Sequence, residues 1–197
     1  MILKIAEVIV NKQLKYATIS EEDKEIYKYG YTLAIGTVVN VLLAFIIGLF
    51  LRKVLFVFSF LFLFIPLRSF CGGWHAASSL NCTIISNAII FCVTLVQKNH
   101  WLGDNYPLLL ILDIVCIFLI VLCKPQDSKS KIMSNKEKER CQKIVKIQLL
   151  LHFIITLLLF CNHYSSGVQL FLLVHIVQAI LLWCGKWKNE IEKRKGL

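Results

Sequence analysis

Residues 32–51 run from Thr32 to Leu51 for twenty positions without a single charge. That run constrains the fold more than anything else in the chain. About 20 apolar residues at ~1.5 Å each cross the hydrocarbon of a bilayer as a helix. Comparable blocks recur at Val54–Pro66, from Ser78 or Ser79 to about Val96, and at Pro107–Cys123, Ile147–Cys161 and Val168–Cys184. Val54–Pro66 is short for a full crossing, and Pro66 stands where a helix ends or kinks. It is expected to tilt, re-enter or continue to Phe70. The sequence therefore predicts an all-α, polytopic integral membrane protein of about six transmembrane or re-entrant helices, built as one membrane-embedded domain over residues 1–197.

Charge is sparse and placed at the ends of these blocks. Only 17% of residues are charged, against about 25% in soluble domains. Residues 1–29 read as an amphipathic helix or helix pair, with Ile2, Ile5, Ile9 and Val10 opposed by Lys4, Glu7, Asn11 and Lys12. Such a segment lies in the interface plane or packs on the protein. The start also lacks a basic leader region and a small-residue cleavage site, so no signal peptide is expected. The net charge of +10 brings no basic face interleaved with aromatics, which argues against nucleic acid and for anionic lipid.

Five lysines precede the first span, eight Lys/Arg fall in the 124–146 loop and five in the tail from Gly185, while Arg52, Lys53 and Lys98 lie on the other side. The positive-inside rule then predicts both termini in the cytoplasm, with the 67–82 segment on the same side. Of eight cysteines, Cys92, Cys116, Cys123, Cys161 and Cys184 sit in or at the ends of apolar runs, where a thiol behaves as a small hydrophobe.

The segment 67–82 carries the chemistry. His75 and Cys82 stand seven positions apart, behind Arg68, Gly72 and Gly73. A free thiol is little ionised near neutral pH, and an imidazole nearby is the usual way to activate it. A helix starting near Ser78 or Ser79 puts Cys82 in its first turn, where unpaired N–H groups and the helix dipole favour a thiolate. Packing is the inert alternative for Cys82. Gly72 and Gly73 permit either a turn whose N–H groups face an oxyanion or a plain break between helices. Arg68 either grips a substrate carboxylate or snorkels to the interface.

Cys71, His75 and Cys82 lack a fourth ligand of suitable spacing, so no metal and no cofactor is expected. Asp113 lies inside a span, where a carboxylate is a functional candidate. It would orient His75 as a third group, pair with a base or sit protonated near the interface. His152 and His175, on apolar helices, read as core histidines with partners.

The element Arg68…Gly72-Gly73-x-His75-x6-Cys82 resembles the central motif of the accessory gene regulator B (AgrB) family. These are quorum-sensing peptide processors of Gram-positive bacteria. Length, hydropathy and a lysine-rich loop starting at Pro125 extend the resemblance over nearly the whole chain, although Pro125-Gln126-Asp127-Ser128 departs from the family's loop pattern. The resemblance implies a cell-membrane cysteine endopeptidase with Cys82 as nucleophile and His75 as general base and acid. It also implies a partner: a short precursor peptide with an amphipathic leader and an acidic C-terminal tail. The enzyme would remove that tail through a thioester and promote closure of a thiolactone or lactone ring. A homodimer stays open. A small peptide exporter or a non-catalytic membrane interaction protein is the competing class.

Overall fold

The structure is a computed structural model that describes residues 2–16, 20–74, 79–103, 105–123 and 134–194. Among these, all regular structure is helical: α1 (Ile2–Lys15), α2 (Lys24–Leu51), α3 (Val54–Cys71), α4 (Ser79–Lys98), α5 (Tyr106–Leu122), α6 (Asn135–Cys161) and α7 (Ser165–Arg194). Five of them, α2, α3, α4, α6 and α7, are long and apolar enough to cross a membrane, and α5 is a shorter apolar helix. The chain is a multi-pass membrane protein by this measure.

The helix ends follow from local chemistry. α2 and α3 form a tight hairpin. Arg52 takes the left-handed conformation (φ 57°), and the Lys53 N–H donates to the Gly48 carbonyl at 2.8 Å, closing the end of α2. Gly48 permits this turn, because a Cβ there would stand 3.0 Å from Val54 Cα. The side chain of Asn105 accepts from the Leu108 amide at the start of α5, with Pro107 in the first turn. Ser134 and Glu137 form a reciprocal capping box at the start of α6.

Two helix starts, those of α2 and α6, differ from the sequence reading, and for the segment after Val54 one of its open alternatives, continuation past Pro66, holds. α3 runs through Pro66 to Cys71, because the rest of the helix supplies its backbone bonds and only the proline's own is missing. α2 begins at Lys24, ahead of the uncharged run, so that α1 and the start of α2 supply the helix pair that the sequence left open for this region. In the 124–146 segment, residues 135–146 are not loop but the first three turns of α6, nucleated by the capping box. Residues 124–133, including the Pro125-Gln126-Asp127-Ser128 sequence, lie outside the described residues.

α7 is the hub. It packs against α3, α4, α5 and α6, whereas α2 packs against α1, α3 and α4. The main core joins Phe60 and Leu67 of α3, Val93 of α4, Ile120 of α5, Leu149 of α6 and Val174 and Leu182 of α7. Outward positions such as Leu42, Phe50, Leu55, Phe62, Leu150 and Leu158 are exposed, as hydrocarbon-facing residues are in a membrane protein. α1 lies along α2, with Ala6 and Val10 buried beneath it, Gln13 Nε2 donating to the Tyr31 hydroxyl at 2.7 Å and Lys28 3.9 Å from Glu7.

Candidate functional site

The last turn of α3, the Gly72–Trp74 segment and the first turn of α4 meet on one side of α7. Arg68, in that last turn, folds over the end of its own helix. Its Nη1 donates to the Gly72 carbonyl at 2.5 Å and its Nη2 to the Trp74 carbonyl. These charge-assisted bonds fix the chain as it leaves the helix. Two nitrogens of the guanidinium therefore hold the loop itself.

Only glycine fits the next two positions. Gly72 has φ 67° and ψ −147°, a region that residues with a side chain avoid. Gly73 has φ 127°, and a Cβ there would collide with the Arg68 guanidinium and come 2.9 Å from the Leu181 carbonyl oxygen. The Gly72 amide donates to the Arg68 carbonyl at 3.0 Å, and the Trp74 amide to the Leu181 carbonyl of α7 at 2.8 Å. Both N–H groups are thus engaged within the protein. The two glycines thus end α3 and let its loop approach the backbone of α7 closely.

Cys82 is the fourth residue of α4, partly buried, and a free thiol. It lines a cavity of about 270 Å³ between α2, α3 and α4, whose wall also includes Arg68, Trp74, Leu181, Asn40 and Ser86. The rest of the wall is aliphatic and aromatic, among it Phe60, Phe64, Ile85 and Ile89. Nearby, Asn87 Nδ2 donates to Asn40 Oδ1 at 3.0 Å, tying α4 to α2 beside the cavity. The Arg68 charge is close enough to interact with both the Cys82 and Cys71 sulfurs. Cys82 thus stands at a helix start, on a cavity whose wall also carries the Arg68 guanidinium. His75 lies outside the described residues, which stop at Trp74 and resume at Ser79.

Asp113 is fully buried on α5, and His175 Nδ1 donates to its Oδ1 at 2.7 Å. With that proton on Nδ1, His175 Nε2 accepts from His152 Nδ1 at 3.1 Å. The row Asp113–His175–His152 joins α5, α7 and α6 through the bundle. Both histidines are partnered core residues. Asp113 belongs to a helix that makes no contact with α4 among the described residues, so it stands apart from Cys82, with a base as its neighbour. The sequence reading missed Gln178, whose Nε2 donates to the Gly72 carbonyl at 3.4 Å, and Gly185, which lies against Gly73 and Trp74. A buried amide three residues after His175 on an apolar helix was the available signal for the first. Gly185 gave none.

The sequence profile of the family described as Accessory gene regulator B matches residues 2–182. The chain belongs to the accessory gene regulator B family. Two AgrB-like proteins of Clostridium perfringens, one from strain SM101 / Type A and one, numbered 2, from strain 13 / Type A, are each 30% identical to it over 176 residues. Each alignment covers 86% of this chain and 82% of the relative. No solved structure matches it significantly. Membership in this family supports involvement in quorum-sensing peptide processing.

Proposed function

We propose that this AgrB-family chain is a cysteine endopeptidase that removes the C-terminal tail of a short precursor peptide at the membrane and passes the remainder on as a thioester. The observation that carries the reading is Cys82, a free thiol in the first turn of α4 that opens onto the apolar cavity beside Arg68 and Trp74.

The Cys82 thiolate attacks the scissile carbonyl carbon. The tetrahedral intermediate collapses with cleavage of the C–N bond, and His75, which took the thiol proton, returns it to the departing amine. The product is a thioester between Cys82 and the new C-terminus, plus a free tail. A thiol or hydroxyl within the substrate then attacks the same carbonyl and gives up its proton, and the Cys82 sulfur leaves. The result is a thiolactone or lactone ring. Exchange between thioesters is close to balanced in energy, so exclusion of water and the nearness of the internal nucleophile decide between ring and linear acid. The apolar cavity walls supply the first of these conditions.

An amphipathic leader in the same interface plane as α1 would concentrate the substrate at the site. The cations of α6 and of the 124–133 segment suit its acidic tail. The lysine distribution supports a cytoplasmic site, with both termini inside.

Co-expression with a precursor tests the reading. Cys82→Ala should abolish cleavage with insertion intact, and Cys82→Ser should be almost as inactive. His75→Ala should lose activity and recover part of it at alkaline pH, where the thiol ionises unaided. A precursor lacking its internal nucleophile should trap a hydroxylamine-labile adduct on Cys82, visible by mass spectrometry. Normal cleavage by Cys82→Ala would return the chain to the exporter or interaction class.

A further inference from the structure

The loop that leads from α3 toward Cys82 is held by Arg68 at its own helix end and, from the other side, by a helix whose contacting residues lie more than a hundred positions further along the chain. α7 meets it at four points. The Leu181 carbonyl accepts the Trp74 amide at 2.8 Å, and the Leu181 side chain is also part of the cavity wall shared with Cys82. Gln178 Nε2 reaches the Gly72 carbonyl, which Arg68 holds from the other side. The Lys188 ammonium lies 5.8 Å from the centre of the Trp74 ring, within cation–π range. Gly185 leaves the notch into which the backbone fits, since a Cβ there would come 2.6 Å from both Gly73 C and Trp74 N. The neighbours that such a Cβ would strike are main-chain atoms, fixed by Arg68 and by the two glycines, so they have no rotamer with which to yield.

We propose that Gly185, with Gln178, is a positioning residue of the site: α7 sets where the Gly72–Trp74 backbone lies, and through it the relation of the loop to Cys82. The proposal rests on the peptidase reading for its catalytic consequence and on α7–loop docking for its structural part. A displacement of about 1 Å at a catalytic group is enough to lower turnover as much as 100-fold while substrate binding elsewhere persists. The signature is therefore a loss in kcat with little change in KM.

The test uses the full chain in lipid nanodiscs with a synthetic precursor peptide. Gly185→Ala should lower kcat for tail cleavage about tenfold, and Gly185→Val further, with KM within roughly twofold of wild type. Gln178→Leu adds no bulk to the notch and should lower kcat about threefold, the worth of one modest hydrogen bond. Gly36→Ala is the control, because a Cβ at Gly36 on α2 meets nothing within 4 Å; it should turn over as wild type does.

The second readout needs no activity. The Trp74 amide should exchange hydrogen roughly tenfold more slowly in wild type than in Gly185→Val, because its acceptor is lost in the variant. Wild-type kcat in Gly185→Val overturns the proposal. So does a decline in kcat that only tracks the loss of folded protein, or a Trp74 amide that exchanges freely in wild type. Should the glycine variants fail to fold, wild-type kcat in Gln178→Leu overturns it as well. If Cys82→Ala still cleaves, the peptidase reading falls, while the exchange difference at Trp74 still decides whether α7 holds the loop.

Discussion

α2 and α7 are both long, apolar helices of crossing length, yet they do opposite jobs. In α7, 67% of the apolar stretch is buried inside the protein, against 11% in α2. α2 borders the cavity with Thr37, Asn40 and Val41 and turns most of its surface outward. α7 carries Gln169, His175, Gln178 and Gly185 along its inward side, and between them they receive three parts of the molecule. Gln169 Nε2 donates to the Gly103 carbonyl in the α4–α5 connection, and His175 binds Asp113 and His152. Gln178 and Gly185 take the Gly72–Trp74 loop. Hydrocarbon side chains are as well placed against lipid tails as against one another, so apolar length alone does not decide which helix goes inside. The buried polar groups do, because lipid offers them no partner.

That contrast has measurable consequences for unfolding in mixed micelles. The largest should come from volume. Leu172→Ala, at a fully buried α7 position, is expected to cost about 2–5 kcal/mol through the cavity left behind. A small effect there would mean that α7 is not the packed centre.

Next comes the polar row. Asp113→Ala strands the His175 Nδ1–H in the core and should cost about 1–3 kcal/mol. A double-mutant cycle with His175→Leu should recover much of that loss, and simple additivity would break the assigned pairing.

A weaker effect is expected where α2 does touch the site. Asn87→Ala removes the bond to Asn40 and should cost roughly 0.6–2 kcal/mol, the range for single interhelical bonds in membranes. Equal unfolding of wild type and Asn87→Ala would place α2 at the edge of the site for shape alone.

The smallest effect belongs to the outer face of α2. Leu42 is 56% exposed, and Leu42→Ala should stay within about 0.5 kcal/mol of wild type. A cost near that of Leu172→Ala would show that α2 is covered by something this chain does not supply, and a second copy would be the first candidate to examine by cross-linking.

The site was legible in the sequence to the degree that its parts are local. Arg68, Gly72, Gly73 and Cys82 lie within fifteen residues, and the chemistry of a thiol at a helix start needs only the helix boundary, which the serines before Leu80 marked. The hydrogen bonds of Arg68 were not legible. A guanidinium near a span reads equally well as a substrate grip or a snorkelling cation until its acceptors are known, and these prove to be carbonyls of its own loop. Asp113 stood out as a carboxylate inside an apolar run, and it is fully buried on α5. Its partner, 62 positions away, could only come from the fold. Gly185 was invisible, because a glycine near the end of a helix reads as a terminus and not as a notch for a distant backbone.

By itself, the sequence determined that the chain is helical, that its apolar runs suit a membrane, and in which order those runs follow one another. The physical reason is that hydrocarbon thickness and backbone hydrogen bonding are local demands, met or failed within about twenty consecutive residues. The tertiary structure alone decided that α7 is the centre and α2 the flank, that Asp113 binds His175, and that the Gly72–Trp74 loop rests on Leu181 and Gly185. Those outcomes depend on which buried polar group finds which partner, and on where two backbones approach without side chains between them. Neither quantity exists until the helices are packed.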